Sequence, residues 1–341
     1  MIKIIEILDK KMWENFVLEQ ENTLFVQSWK YGEFYKKINE RYWIFGIFDD
    51  NKLVGGSLVL STHAKRGNYL YLPYGPIMSK KINAEYLKKF SKFLRQFAMK
   101  NKFDFVRLSP FIDDTEKNRE IFKNAGFKKS PIHALAENTW LLDLNKTEEE
   151  LLADMKKNHR NLVNRCLKKD VKIVKTKDPK ELKDFNRIHD ETAKRHNFHR
   201  FPDDYVENEF KIFAGNDQAL LIKAYLPSGE LDSAAIFIYY GNMSAYRHSG
   251  SLNLDKKLPT SYLIQWEAIQ EALKRGIKIH NFWGVAPDNA GKKHPFRGIT
   301  HFKKGFGGYQ KDLLPCHDLP VSNRYYFAWL IETIRRIRRG F

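Results

Sequence analysis

The chain has 341 residues, 59 Lys+Arg against 41 Asp+Glu for a formal charge of +18, and 43% apolar side chains. That apolar share packs a core and excludes a disordered chain, while at about 150 residues per domain the length predicts two domains. Two cysteines, Cys166 and Cys316, exclude a disulfide framework and a four-cysteine metal site.

Charged residues Lys3, Glu6, Asp9, Lys10, Lys11 and Glu14 interrupt the N-terminal stretch, so no signal-peptide core is expected there. The longest apolar runs, 234–240 and 325–331, fall far short of the roughly 20 residues that span a bilayer. A soluble, cytoplasmic protein is the expectation. Along the first half, residues 44–49, 53–60 and 69–71 read as strands of a meander, broken at Asp50-Asn51 and Gly55-Gly56. The spacing of Tyr86, Leu87, Phe90, Phe93, Leu94 and Phe97 predicts a helix over 84–100. A strand at 103–108, a loop at 109–114, a helix at 115–124 and Gly126-Phe127 follow.

The second half repeats this order. Residues 220–225, 232–240 and 244–248 read as strands, 261–274 as a helix stopped by Gly276, and 277–282 as a strand, with Gly305-Phe306 closing the unit. The fold class predicted is α/β: two tandem copies of one unit, each with a mixed sheet. A boundary near residue 145 divides the chain into 1–145 plus 320–341 and 146–319.

Charge is uneven. Residues 1–155 hold 25 basic and 21 acidic groups, net +4, whereas 156–341 hold 34 and 20, net +14. An excess of this kind fits polyanionic partners: nucleic acid, diphosphate-bearing substrates or an anionic membrane face. Thr147-Glu148-Glu149-Glu150 reads as the start of a helix over 148–169, whose stretch from Lys156 to Lys175 carries eight basic residues and one acid. It is read either as a solvated face or as an RNA-phosphate surface. The tail, Arg335-Arg336-Ile337-Arg338-Arg339 after Tyr325, Tyr326, Phe327, Trp329 and Leu330, admits contact with anionic lipid or a packed terminal helix with a charged end. The packed helix is the reading adopted.

The segment most suggestive of chemistry is His294–Gly308, HPFRGITHFKKGFGG. Five basic residues lie between Lys292 and Lys304 with no acid, and clustered glycines let backbone approach a ligand closely. A lysine in such a setting supplies charge to a phosphate or a developing oxyanion; a basic surface loop with turn glycines is the alternative. No Gly-x-x-x-x-Gly-Lys-Ser/Thr phosphate loop occurs. His294, His301, Cys316 and His317 match no zinc spacing, so no metal is expected.

With His280–Pro287 before it, this segment resembles the C-terminal signature of the Fem-type (FemABX) peptidoglycan aminoacyltransferases. Further matches are Gln27-Ser28-Trp29 with Gly32-Glu33-Phe34, Met155–Asn161, Glu191–Phe198 and Tyr262–Glu267, spread through the chain in order. The resemblance implies two tandem GNAT-like domains, the acyl-CoA N-acyltransferase fold, with the last helix returning to the first domain. It implies the compact type, since no heptad stretch supplies a coiled-coil tRNA arm.

The implied reaction is aminoacyl-tRNA-dependent transfer of an amino acid onto an amine of a peptidoglycan precursor's stem peptide, with a UDP-linked or lipid-linked muropeptide as acceptor. No cofactor is expected beyond aminoacyl-tRNA as co-substrate. By its place in the motif Lys303 is the oxyanion donor, with Phe302 shaping the site. The first domain would bind the precursor. A lysine there, Lys36 or its neighbour Lys37, and an arginine of the second, Arg195 or Arg200, would grip the diphosphate; Tyr262 is a further substrate contact. Lys156, Lys157, Arg160 and Arg165 are the tRNA-binding candidates, contact with the inner membrane face is a further expectation, and a monomer is favoured. Two departures stand out: Ser109 where many members have an acid before proline, and Asn281 where many have Asp. The rival readings are an acyl-CoA-dependent N-acyltransferase, whose phosphate-cradling motif is absent, and an inactive RNA- or membrane-surface-binding relative.

Overall fold

A computed structural model describes residues 1–65, 67–79, 81–291, 294 and 296–339, and it divides the chain into two compact units: residues 1–139 with 311–341, and residues 140–310. Lys292, Lys293 and Pro295 of the basic segment lie outside the described residues.

The first unit begins with β1 (Lys3–Glu6), α1 (Lys10–Leu18) and α2 (Trp29–Lys37). There follow β2 (Tyr42–Asp49), β3 (Lys52–Ala64), β4 (Gly67–Tyr74), β5 (Ile77–Met78), α3 (Ala84–Lys100), β6 (Phe105–Pro110), α4 (Glu116–Asn124) and β7 (Lys128–Lys129). In the second part of the chain come β8 (Asn138–Asp143), α5 (Glu148–Asp154), α6 (Lys157–Lys168), β9 (Lys172–Thr176), α7 (Leu182–His196) and α8 (Asp203–Ala214). Next are β10 (Ala219–Tyr225), β11 (Leu231–Tyr240), β12 (Met243–Ser251), α9 (Thr260–Lys274), β13 (Ile279–Gly284), α10 (Arg297–Lys304) and β14 (Tyr309–Asp312). The chain then returns to the first unit with β15 (His317–Pro320) and α11 (Arg324–Arg339).

Each unit is built on one plan. In the first, β2, β3 and β4 are an antiparallel meander, α3 crosses over, and β6 pairs parallel with β4. In the second, β10, β11 and β12 form the meander, α9 crosses over, and β13 pairs parallel with β12. A parallel neighbour requires such a crossover, and the helix covers one sheet face. The sheet orders among the described residues are β1-β2-β3-β4-β6-β15-β7 and β14-β8-β13-β12-β11-β10-β9. β15 and β8 therefore hold matching places, each beside its unit's parallel strand. Leu87, Phe90, Leu94 and Ala98 of α3 pack on Phe45, Leu70, Val106 and Leu108 in one core; Leu263, Ala268, Ile269 and Ala272 of α9 pack on Ile222, Ala235 and Phe237 in the other. The predicted duplication is present.

Two boundaries differ from the sequence reading. The second unit ends at Gln310 rather than 319, because β15 pairs antiparallel with β6 and the Leu314 N–H bonds to Ile112 O at 2.7 Å. It starts at Trp140 rather than 146, because β8 belongs to the second sheet. The single helix expected over 148–169 is two. Met155 (ψ 144°) and Lys156 (ψ 137°) are extended, Met155 is buried, and the Lys156 N–H donates to Gly305 O at 2.9 Å. Long-range docking of that peptide overrides a locally helical sequence. Ser28 caps α2 by accepting from the Tyr31 N–H at 3.2 Å, while the buried Gln27 side chain donates to Pro73 O at 2.6 Å and accepts from the Leu58 N–H at 2.9 Å. The Gln27-Ser28-Trp29 match thus ties the start of α2 to β3 and β4.

In the first unit, the buried Arg107 of β6 donates to Asp318 of β15 at 2.8 and 2.9 Å and to Glu332 of α11 at 2.7 and 3.2 Å. One guanidinium, satisfied by two carboxylates, ties the returning strand and helix to the first unit. No described helix is long and apolar enough to cross a membrane.

Candidate active site

The segment read as a glycine-rich basic stretch folds as helix α10, with Gly305 at its C-terminal cap. A Cβ on Gly305 would stand 2.0 Å from the His159 ring, so glycine here makes room for a neighbour in the same unit. At Gly307 and Gly308, φ is 87° and 90°, and a Cβ on Gly308 would lie 2.1 Å from Leu141 O. Trp140 Nε1 donates to Gly307 O at 2.6 Å, locking this turn onto β8.

Around α10 the second unit gathers matches that are far apart in the chain. From the Met155–Asn161 match, buried His159 meets Phe302 O through Nε2 at 3.0 Å. From the Tyr262–Glu267 match, half-buried Tyr262 sets its ring 4.9 Å from both His159 and Phe302. Phe306 lies 5.2 Å from Phe302. Burial pushes the His159 pKa down against the bond to Phe302 O, and its Nδ1 is buried without a partner. These rings wall one side of the α10 helix with apolar surface.

Lys303 points inward, toward the Tyr246 ring that Phe302 also approaches at 6.5 Å. Its side chain is buried, and Nζ donates to Gly284 O at the end of β13 at 2.6 Å. Nζ also lies 6.0 Å from the centre of the Tyr246 ring. Burial without a carboxylate partner pushes the amine down to about 7, since the low-dielectric surroundings penalise the charged form. The same surroundings push the Tyr246 phenol up to about 12. A lysine balanced between its two protonation states near neutral pH is a typical functional arrangement.

The accepting carbonyl is positioned by an unusual backbone. Trp283 adopts φ 67°, a region bulky L-residues rarely occupy, and its N–H bonds to Asn281 Oδ1 at 2.7 Å. Asn281 is thus the acceptor of a local side-chain turn, a task Asn and Asp perform equally, which accounts for Asn at this position. Beneath it, the buried His280 bonds Ser244 Oγ at 2.8 Å and Gln265 Nε2 at 2.7 Å, and burial pushes it down to about 3. Arg247 stacks 5.7 Å from the Trp283 ring and is clasped by the buried Glu209 at 2.9–3.1 Å. His248 bonds the same carboxylate at 2.9 Å. Sequence reasoning missed Tyr246, Arg247 and Glu209, which no motif or spacing marks because tertiary packing alone brings them near the β13 end; Trp283 entered only within the His280–Pro287 match, with no role of its own.

The remaining candidates fall as follows. Lys36 and Lys37 are exposed in the last turn of α2, where positive charge complements the helix dipole. Arg195 is exposed and donates to Ser251 O at 2.5 Å and Leu252 O at 3.2 Å, both uncharged acceptors. Arg200 is largely buried between Asp190 and Asp203, the latter at 2.5 Å, so its charge is already matched. Lys156 and Lys157 are exposed at the α6 start. Arg160 instead closes the end of α5, donating to Leu152 O at 3.2 Å and Ala153 O at 3.1 Å, and Arg165 donates to Lys257 O at 3.2 Å. Ser109 is buried at the end of β6. A cavity of about 520 Å³ in the first unit is lined by Leu24, Tyr74, Ile77, Phe111, Lys117 and Lys311, among others. No group of His, Cys, Asp and Glu among the described residues has the arrangement of a metal site.

Two units with a meander, a crossover helix and a parallel strand, the second carrying a buried lysine at that strand's end, define a tandem GNAT-like protein. A tandem GNAT protein from the clavulanic acid biosynthesis pathway superposes with a TM-score of 0.56 at 10% identity, over 94% of this chain and 99% of that one. The chain belongs to the FemAB family, whose family model matches residues 8–233 and 230–333. Aminoacyltransferase FemA of Staphylococcus epidermidis is 21% identical over 379 residues, covering 85% of this chain and 89% of that protein. The Staphylococcus aureus protein of the same name is 29% identical over 97 residues, 28% of this chain and 23% of its own. The crystal structure of FemX superposes with a TM-score of 0.83 at 18% identity, over 97% of this chain and the whole of that one. Among the described residues the second unit's longest helices, α7 and α9, have 15 residues each, too short for a coiled-coil arm.

Proposed function

We propose that this protein transfers an aminoacyl group from aminoacyl-tRNA to an amine of the stem peptide of a peptidoglycan precursor, in the cytoplasm. The observation that carries the reading is the buried Lys303 amine on Gly284 O, in a chain whose FemAB relatives include proteins named aminoacyltransferase. The acceptor amine attacks the ester carbonyl, the carbonyl oxygen gains negative charge, and collapse expels the ribose hydroxyl while the amine loses its proton to solvent or to the leaving oxygen. Lys303, as ammonium, donates to the developing oxyanion; one such donor is worth about 2.7–4 kcal/mol. Ester aminolysis is downhill, so holding two large substrates in line supplies most of the remainder.

Phe302, with Tyr262 and His159, forms the apolar wall beside this donor and limits water, which would compete as nucleophile. Lys156 and Lys157 are suited to the RNA phosphates, since the Lys156 backbone is bonded to Gly305 two residues from Lys303. Arg195 is assigned to the diphosphate in preference to Arg200, whose two carboxylates would have to be displaced. Lys36, with Lys37 beside it, is the corresponding cation of the first unit, and the precursor's peptide is assigned to that unit's cavity.

The test is incubation of the purified protein with individually charged tRNAs and a UDP-linked or lipid-linked muropeptide. A mass gain of one amino-acid residue, abolished by RNase, is expected. Product formed from an acyl-coenzyme A and insensitive to RNase would replace the reading with a coenzyme A-dependent transferase.

A further inference from the structure

The C-terminal helix α11 has two apolar faces. On the inner one, Tyr325 and Ala328 are buried, Tyr325 lies 5.4 Å from the Phe105 ring, and Glu332 accepts from Arg107 at 2.7 Å. On the outer one, Phe327, Leu330, Ile334 and Ile337 are between 42% and 71% exposed. At 100° per residue these four fall in one stripe opposite the buried one, about 15 Å long. Exposed Tyr326 extends it. Scattered exposed apolar residues are ordinary; a continuous stripe of them marks an interaction surface.

Charge identifies the partner. Arg335, Arg336 and Arg338 are exposed; at 100° per residue Arg338 borders the stripe with Arg335 beyond it, while Arg336 lies toward the inner face. Lys128 of β7 places Nζ 5.5 Å from the Tyr326 ring, with Lys129 exposed beside it. The helix contains one acid, Glu332, and it is buried. The outer surface is therefore aliphatic and aromatic along its centre and cationic at its edges. A second copy of the chain would set these arginines against their own kind. Nucleic acid would use the cations and the rings, but it has no use for the Leu330, Ile334 and Ile337 side chains. A hydrocarbon layer beneath anionic headgroups matches both features.

We infer that α11 is an interfacial helix that lays its Phe327–Ile337 stripe into the surface of an anionic lipid bilayer, with its arginines at headgroup level. The inference stands independently of the reaction proposed above. The full chain is sedimented with vesicles of phosphatidylglycerol and, separately, of phosphatidylcholine. Strong binding to the first and weak, salt-insensitive binding to the second are expected. Phe327→Glu with Ile334→Glu should abolish sedimentation while leaving the circular dichroism spectrum and Tm unchanged, since both side chains are solvent-facing. Arg335→Gln, Arg336→Gln and Arg338→Gln together should weaken binding to phosphatidylglycerol by on the order of 10- to 100-fold. Absence of binding to phosphatidylglycerol, or equal binding by the glutamate variant, would overturn the inference. So would a dimer, seen by light scattering, that the same two glutamates dissolve without any lipid binding, or tRNA binding that they abolish while lipid binding persists.

Discussion

The Nζ of Lys303 lies 2.6 Å from the carbonyl oxygen of Gly284, joining a helix that follows the second unit's parallel strand to the last peptide of that strand. The bond satisfies one of three donors of an otherwise desolvated ammonium, and the carbonyl is aimed by Trp283 in its positive-φ conformation. A carbonyl partner holds the amine without neutralising it. Its remaining protons stay available to a developing oxyanion.

The protonation state of Lys303 sets a pH dependence. Its pKa is lowered to about 7 from an ordinary 10.5, so the ammonium form needed by an oxyanion donor is lost as pH rises through about 7. Transfer measured as kcat/KM should show a falling limb there, which a Lys303→Met variant lacks. Stability runs the opposite way. Between about pH 7 and 10.5 the unfolded chain binds more protons at this residue than the folded one, so its contribution to stability rises with pH across that window. The Tm deficit of wild type against Lys303→Met should shrink as pH is raised from neutral.

Gly305 is fixed by the His159 ring. Gly305→Ala places a methyl where the ring stands and should cost about 1–3 kcal/mol in urea denaturation, the usual range for overpacking. His159→Ala opens the same space, so the double variant should be less destabilised than the sum of the two single ones. Strict additivity would mean the two residues do not share that space in solution.

Arg195 and Arg200 should separate in kinetics and in stability. Arg195→Gln removes an exposed guanidinium held by two carbonyl oxygens and should raise KM for a UDP-linked acceptor roughly tenfold, with kcat and Tm little changed, as for one lost charge-assisted contact. Arg200→Gln strips the partner from Asp190 and Asp203 and should lower Tm while changing KM less. A reversed pattern would exchange their roles.

Much of the fold was legible because both meanders are apolar runs broken by turn residues, the α3 span agrees with its Tyr86–Phe97 spacing, and Gly276 marks the end of α9. Chain return was less so: β15 has four residues, and its place beside β6 is dictated by pairing that no local pattern announces. The break between α5 and α6 was hidden because Met155-Lys156 suits a helix as well as a turn, and only the bond to Gly305 O decides between them. At the site, Lys303 could be singled out by its motif, but its burial could not. A lysine among basic residues and glycines reads as surface, and what buries it, Tyr246 and the strand end at Gly284, is supplied from distant sequence.

The central claim is tested most directly by single-turnover transfer from a charged tRNA to a muropeptide, comparing wild type with Lys303→Met. A fall in the rate of about 10²-fold or more is predicted, with tRNA binding, acceptor binding and the folded spectrum intact. A rate within a few-fold of wild type would contradict the account and remove Lys303 from the chemistry.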